Sequence, residues 1–434
     1  MATSSQDNDR NNIATGVFVV KIRLDKDNVV KLASQHIQEC YFIEDIFSKC
    51  IVGKLTFVDD AGMYEFGPFT GNETVAIEYG RYSTREMSFH IWKVESILPN
   101  MQAGSHISPS ISLHLVDTSY EFMTSYLYSR SYDEKQRHTQ VIKQILTNMI
   151  GWSPHRINLV DSLSELDKPF TIPYWNVSNT IDYLTRRAVY GADGYGYLCY
   201  NNTKNIFSVN LYPLSYLLGS SNVIDENRYV FENNKMALGT KILDWWIEGV
   251  DHSLTREWRR SVWLNYDIST KKMNKTIIDY DEYLKYNTIL GKHSLFDDTY
   301  GLNKNIISNY DFINYDSVKK TRDAAYSNFI KQYNLQFLVN IIVLGNERRY
   351  AGHQIYLDWP SINQDSRSLN RTYEGVYLVK SIVHSFVGQD TNIGYTQRMV
   401  LIKNGYQNSP SKILKKSIIS NTTGGRKTTE FKNE

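Results

Sequence analysis

YEGVYLVKSIVHSF, residues 373–386, is a near-continuous apolar run of strand length. On strict alternation Tyr377, Val379 and Val383 share one face, and Val376, Leu378, Ile382 and Phe386 share the other. Such a run belongs to a strand buried on both faces. His384 falls on the second face, where a core wants no polar atom. It is therefore catalytic, a metal ligand, or a structural residue with hydrogen-bond partners.

Three more strands surround this one: FLVNIIVLGN (337–346), HQIYLDW (353–359) and YTQRMVLIKNG (395–405). The first hundred residues read the same way. GVFVVKIRL (16–24), CIVGKLTFVDD (50–60), TVAIEYG (74–80), EMSFHIWKVESI (86–97) and SISLHLVD (110–117) alternate, with Asp, Gly, Pro and Asn turns between them. Residues 25–40 are helical or a long loop on this reading. Between the two strand groups the period changes. TQVIKQILTNMIG (139–151) and SNTIDYLTRRAVYG (178–191) carry helical stripes, with Gly151 and Gly191 placed to end them and Ser178 or Asn179 to cap the second. YGYLCYNNTKNIFSVNLYPL (195–214) predicts two strands around an Asn-Asn-Thr turn. Residues 219–330 show few clean periods. ILDWWIEGV (242–250) reads as an apolar anchor, and YDEYLKYNTIL (280–290) is the candidate helix there. The expected order is a first β-barrel over 13–118, an α+β domain over 119–218, and an irregular peripheral domain over 219–330. That domain is a candidate source of strands for the second β-barrel, over 331–405. A polar tail, 406–434, follows.

The chain has 434 residues, 41% of them hydrophobic and 22% charged, which is globular and leaves room for two to four domains. Its 32 tyrosines suit strands and half-wet surfaces. A net charge of +2 argues against a whole-protein grip on nucleic acid. Three scattered cysteines form neither a disulfide framework nor a zinc site, and fit synthesis in a reducing cytoplasm. The N-terminus lacks a signal-peptide core, and no run is long enough to span a membrane, so a soluble protein is expected.

Known chemical motifs do not stand out. There is no H-E-x-x-H, P-loop, G-x-S-x-G or paired C-x-x-C. GADGYG (191–196) follows a helix and precedes a strand, the wrong context for a phosphate loop, so it reads as a turn. Asp59-Asp60 and Asp297-Asp298 are adjacent and diverge on a strand, which suits turns better than acid/base pairs. His90, His114 and His353 read as half-exposed strand residues. No cofactor and no metal are expected. TREWRR (255–260) and NERRY (346–350) are solvated loops or interfaces, which makes Arg259, Arg260, Arg348 and Arg349 interface candidates, together with Lys415 and Lys416 in the tail.

The late segments together resemble the last β-domain of phage baseplate hub proteins, the central hub subunit of contractile tails and the hub part of VgrG spikes. The likeness lies in their order. Gly345-Asn346 ends a strand, then come Gly352, Ile355 and Leu357. Gly375, Tyr377, Leu378, Val379, Ile382, His384 and Phe386 follow, and then Tyr395, Met399 and Leu401. IPYWNVSNTIDYLTRRAV (172–189) with the strand pair after it, and CIVGKLTFVDDAGMYEFGPFTGNETVAIEYG (50–80), are similar to the middle and the opening of that family. The resemblance covers roughly half of the chain and leaves 219–330 unmatched. It implies a mainly β fold with two similar small β-barrels, early and late, joined by mixed α+β domains. It also implies a non-enzymatic homotrimer whose six barrels adapt a sixfold tail tube to a threefold central spike. The implied partners are a tail tube or baseplate ring protein, the spike and a tape measure protein, in a virion, without membrane insertion or specific nucleic-acid binding. His384 would be a structural residue of a barrel wall. The competing readings are a tail-associated cell-wall hydrolase, which needs two carboxylates about 5–9.5 Å apart, and a receptor- or carbohydrate-binding β-module.

Overall fold

A computed structural model describes residues 16–406 apart from 26–27, 61, 67–68, 101–107, 167–168, 192–193, 205–207, 220–222, 231–239, 249–259, 268–270, 280–289, 291–292, 295–305, 310–317, 336, 360–372 and 390–391. The chain is mainly β. Its frame is one 13-stranded sheet. Seven strands are early: β1 (Val17–Arg23), β2 (Val29–Leu32), β3 (Ile37–Asp45), β4 (Val52–Val58), β5 (Thr74–Gly80), β6 (Arg85–Asn100) and β7 (Ser108–Asp117). Six are late: β8 (Val223–Val230), β9 (Ile242–Glu248), β10 (Leu338–Leu344), β11 (Gln354–Asp358), β12 (Gly375–Gln389) and β13 (Asn392–Ile402). The order is β9-β10-β13-β12-β3-β4-β7-β6-β5-β1-β2, with β11 on β12 and β8 on β11.

The two groups meet on β12. Its first half pairs with β11 through Gly375–Leu378, and its second half pairs with β3 through Ser381–Val387. β13 runs along its other edge. The register against β13 slips by one residue between Val379 and Ser381, which makes Lys380 a β-bulge. A bulge reverses which side chains point inward. Tyr377 and Val379 face the late core before it, and Ile382 joins them after it. Val376 and Leu378 pack instead against the middle of the chain, with Leu198 and Leu214. Strict alternation, which put Ile382 with Leu378, therefore fails at Lys380.

Two apolar cores lie along the sheet. The early core is built from alternate residues such as Val20, Phe42, Leu55, Ile77, Phe89 and Leu113, and takes in Phe386 of β12. Phe18 of β1 stacks on Phe386 at 4.5 Å, so the early strands curl back towards β12. The late core gathers Tyr229, Val339, Ile341, Ile355, Tyr377 and Met399. An isolated parallel bridge, Val230 to Lys241, links the end of β8 to the residue before β9. Among the described residues these pairings form open sheets and no closed barrel.

Between the groups, α1 (His138–Asn148) and α2 (Val177–Arg187) pack with strands Tyr197–Tyr200 and Val209–Pro213 around a third core. Gly151 takes φ 74°, and Trp152 N–H donates back to the Leu146 carbonyl at 3.2 Å, which closes the end of α1. α2 begins earlier than its apolar stripe predicts. Asn176 is the cap, and its side chain accepts from Asn179 N–H at 2.7 Å.

Two sequence expectations change. The described residues of 25–40 form β2, a short 3-10 turn at Ser34–His36 and the start of β3 in place of a helix or a long loop. Residues 219–330 contribute β8 and β9 to the late strands. They also hold an antiparallel pair, Arg260–Asp267 with Lys272–Asp279, packed on α3 (Val318–Asn334). Finally, 242–248 is an edge strand with Leu243, Trp245 and Ile247 exposed, and its only buried hydrophobic residue is Ile242, so it is no core anchor. The candidate helix over 280–290 lies, except for Leu290, outside the described residues, as do Asp297-Asp298, Arg259, Lys415 and Lys416.

Candidate functional site

Buried polar groups cluster where β3 lies beside β12. His384 is fully buried, with its ring stacked on Phe42 at 4.4 Å. Its Nε2 lies 3.0 Å from Glu44 Oε1, and its Nδ1 lies 2.9 Å from the Tyr395 hydroxyl and 3.2 Å from Gln397 Nε2. Neighbours settle the tautomer. Gln397 Oε1 accepts from Asn346 N–H at 3.1 Å and from the Arg349 guanidinium at 2.8 Å, so its NH2 group must face His384, Tyr395 and the Asn346 carbonyl. Nδ1 therefore accepts, and Nε2–H donates to Glu44. Burial raises the Tyr395 phenol well above its ordinary pKa, which keeps it a donor.

Glu44 is also fully buried. It accepts from Thr203 N–H at 2.7 Å and Thr203 Oγ1 at 3.2 Å. Thr203 belongs to the turn after strand Tyr197–Tyr200, and Arg85 of β6 donates to its carbonyl. One carboxylate thus joins early strands, late strands and middle block. Glu44 and His384 are both fully buried. They tie three parts of the chain together with charge-assisted bonds.

Glu347 makes a second tie. It is buried, and its carboxylate crosses from the late strands to the turn between β5 and β6. It accepts from the backbone N–H of Arg81 at 2.9 Å, Tyr82 at 3.1 Å and Ser83 at 2.6 Å, and from Ser83 Oγ at 2.9 Å. Burial opposes its charge, but these donors outweigh burial and hold its carboxyl below the usual carboxylate range.

The other motif residues are close by. Gly345 donates N–H to the Tyr395 carbonyl at 2.9 Å, and a side chain at Gly345 would strike the Tyr395 ring. Gly352, at φ 92°, lies where an added Cβ would come within 2.6 Å of the Tyr200 hydroxyl. Gly375 starts β12 at φ 128°. The Tyr377 hydroxyl donates to the Tyr373 carbonyl at 2.6 Å, and Leu378, Val379 and Phe386 are buried. Asn346 Oδ1 accepts from Arg348 N–H at 2.9 Å. Arg348 itself is exposed. Arg349 is buried, and its guanidinium reaches Tyr229 Oη at 2.7 Å, the Leu344 carbonyl and Gln397, all within this chain. Arg260 begins the strand Arg260–Asp267.

His353 is not half-exposed as its position in the sequence suggests. It is fully buried, with Nδ1 against the Tyr350 carbonyl. Burial brings its pKa down to about 4. Asp59 is a capping residue, accepting Met63 N–H at 3.0 Å and Tyr64 N–H at 2.9 Å. Among the described residues no three His, Cys, Asp or Glu side chains are placed to hold a metal. No helix there is long and apolar enough to cross a membrane.

Sequence reasoning missed Glu44 and Glu347. Glu44 sits among hydrophobic neighbours, where a carboxylate looks like a break in the pattern, and Glu347 lies in the charged turn Asn346-Glu347-Arg348-Arg349. A signal exists in Cys40-Tyr41-Phe42-Ile43-Glu44, because Cys40, Phe42 and Glu44 alternate onto one face.

With this geometry in view, comparison with known proteins is informative at the level of fold. No protein-family model matches the chain, and no curated protein matches its sequence. Solved structures do. A tail protein from Neisseria meningitidis MC58 superposes with a TM-score of 0.53 at 11% identity, covering 89% of this chain and 96% of that one. The 43 kDa tail protein of prophage MuSo2 from Shewanella oneidensis gives 0.53 at 11% identity, covering 90% and 98%. The chain has the fold of phage tail proteins.

Proposed function

We propose that this chain is a structural, non-enzymatic subunit of a phage-type tail, a baseplate or tail hub that assembles as a homotrimer. One observation carries the reading: two separate apolar cores, early and late, are wrapped by strands that share β12. A chain with two such modules presents six of them in a trimer, which matches a sixfold tube on one side and a threefold spike on the other. The contact of Phe18 with Phe386 supports an early barrel-like module, and the bridge from Val230 to Lys241 supports a late one. The tail-protein fold supports a place in the virion.

In this reading the early module spans 13–118, the α+β domain 119–218 and the late module 331–405, with 219–330 lending it strands. His384, Tyr395, Gly345, Asn346 and Gly352 hold the strands in register and serve no chemistry. Arg259, Arg260, Arg348, Lys415 and Lys416 meet partners, whereas Arg349 acts inside the subunit. The partners are the tube or a baseplate ring protein, the central spike and the tape measure protein, after synthesis in the host cytoplasm.

Light scattering of the purified chain, alone and mixed with a candidate trimeric spike, tests the proposal. A mass of three chains, or a three-to-three complex, is the expected result. A monomer in both samples refutes it and directs attention to glycan binding and cell-wall hydrolysis.

A further inference from the structure

Two sheets of this molecule end in exposed edge strands, and the two edges are complementary. β9 is the last strand of the large sheet. Among the described residues it pairs with β10 alone, and the bridge from Val230 reaches only Lys241, the residue before it. Trp245 and Ile247 stand opposite Ile341 and Val339 of the late core, yet they are 41% and 36% exposed. The core face of the sheet therefore runs out to this edge without full cover. Asp244 and Glu248 alternate with them and are exposed. This edge is apolar and acidic.

The second edge is Lys272–Asp279, which among the described residues pairs with Arg260–Asp267 alone. Ile278 and Trp263 face α3. The other face of the strand carries Met273, Lys275 and Ile277. Met273 is 58% and Ile277 60% exposed, and Lys272 and Lys275 are exposed beside them. This edge is apolar and basic. An uncovered edge with exposed apolar side chains is a template for another strand, because its backbone donors and acceptors face outward.

We propose that the two edges meet between neighbouring copies of this chain, with β9 of one copy lying antiparallel to Lys272–Asp279 of the next. The inference rests on the homotrimer reading and names its contact. One register serves both strands. It sets Ile247 opposite Met273, Trp245 opposite Lys275 and Glu248 opposite Lys272, and Ile277 then falls at Leu243, where β9 bulges. Apolar side chains meet apolar ones, a lysine meets an indole, and opposite charges pair. A second copy is favoured over an unrelated partner because one chain carries both halves of the match and does not pair them with each other. A contact between unlike patches passes from copy to copy, and closes into a ring when the rotation returns to its start.

Oxidative cross-linking of the full chain, read beside its light-scattering mass, tests this. Cys40, Cys50 and Cys199 are buried, so the background is low. Ile247→Cys and Met273→Cys chains, expressed together and oxidised, should give a disulfide-linked pair of chains that neither variant gives alone. Ile247→Cys with Ile277→Cys, about 13 Å out of register, should give none. A wild type of three chains without the 247–273 link overturns this contact and leaves the trimer standing. A link at 247–277 in its place overturns the antiparallel register. A wild type that stays monomeric, alone and with a candidate spike, overturns the trimer and this contact with it.

Discussion

Glu347→Ala is the sharpest test of how the early and late strands are joined. The wild-type carboxylate collects three backbone N–H groups and one hydroxyl from a single turn. Hydrogen bonds to a charged group contribute about 1.5–3 kcal/mol each when isolated. Here the donors are partly served by water once the carboxylate is gone, because Tyr82 and Ser83 are exposed. The expected loss is therefore about 2–4 kcal/mol in all, well below the sum of four bonds. Urea unfolding followed by tryptophan fluorescence reads it as a lower midpoint at unchanged slope. The loss should depend on pH in a definite direction. Because the folded carboxyl titrates below its unfolded value of about 4.3, its contribution is complete above that pH and disappears as pH falls through the lower folded value. Wild type and variant should converge in acid. A variant within about 0.5 kcal/mol of wild type at pH 7, or a difference that persists unchanged in acid, would refute the reasoning.

Other expectations follow from neighbouring residues. Glu44→Leu and His384→Leu should each cost about 3–5 kcal/mol, since each leaves buried polar partners unpaired, and the double variant should cost clearly less than their sum. Additive losses in a urea double-mutant cycle would show that the pair is not coupled. His353, held neutral by burial with a pKa near 4, should make the protein lose stability as pH falls from about 6.5 towards 4. Melting temperatures of wild type and His353→Phe across that range should not run parallel, and parallel curves would count against the buried neutral ring. Gly345→Ala should destabilise by about 1–3 kcal/mol or more by driving a methyl into the Tyr395 ring. A neutral result would mean that the two strands do not approach so closely.

Much of this architecture is legible in the sequence. The late strands, most of the early ones, the two helices and the pair around Asn201-Asn202-Thr203 all follow from periodicity and turn chemistry. What escaped was β3, and with it the way the molecule is joined. Its buried face runs Cys40, Phe42, Glu44, and the carboxylate at the third position hides the strand. The value of Glu44 there depends on His384, which lies 340 positions away, and on Thr203, 159 positions away.

The sequence alone determined that the chain is mainly β, that early and late strand groups flank a mixed middle, and that His384 is an anomaly needing partners. These are local properties, set by the period of apolar residues and the backbone preferences of Gly, Asn and Asp. Only the tertiary structure decided that β12 is shared between the two groups, that the bulge at Lys380 moves Ile382 into the late core, and that Arg349 and Glu347 find their partners within the chain. A strand's edges pair by backbone hydrogen bonds, which carry no side-chain signature, and a buried charge is tolerable only if a distant donor reaches it. Both depend on which segments meet in space, and that is settled by the whole fold.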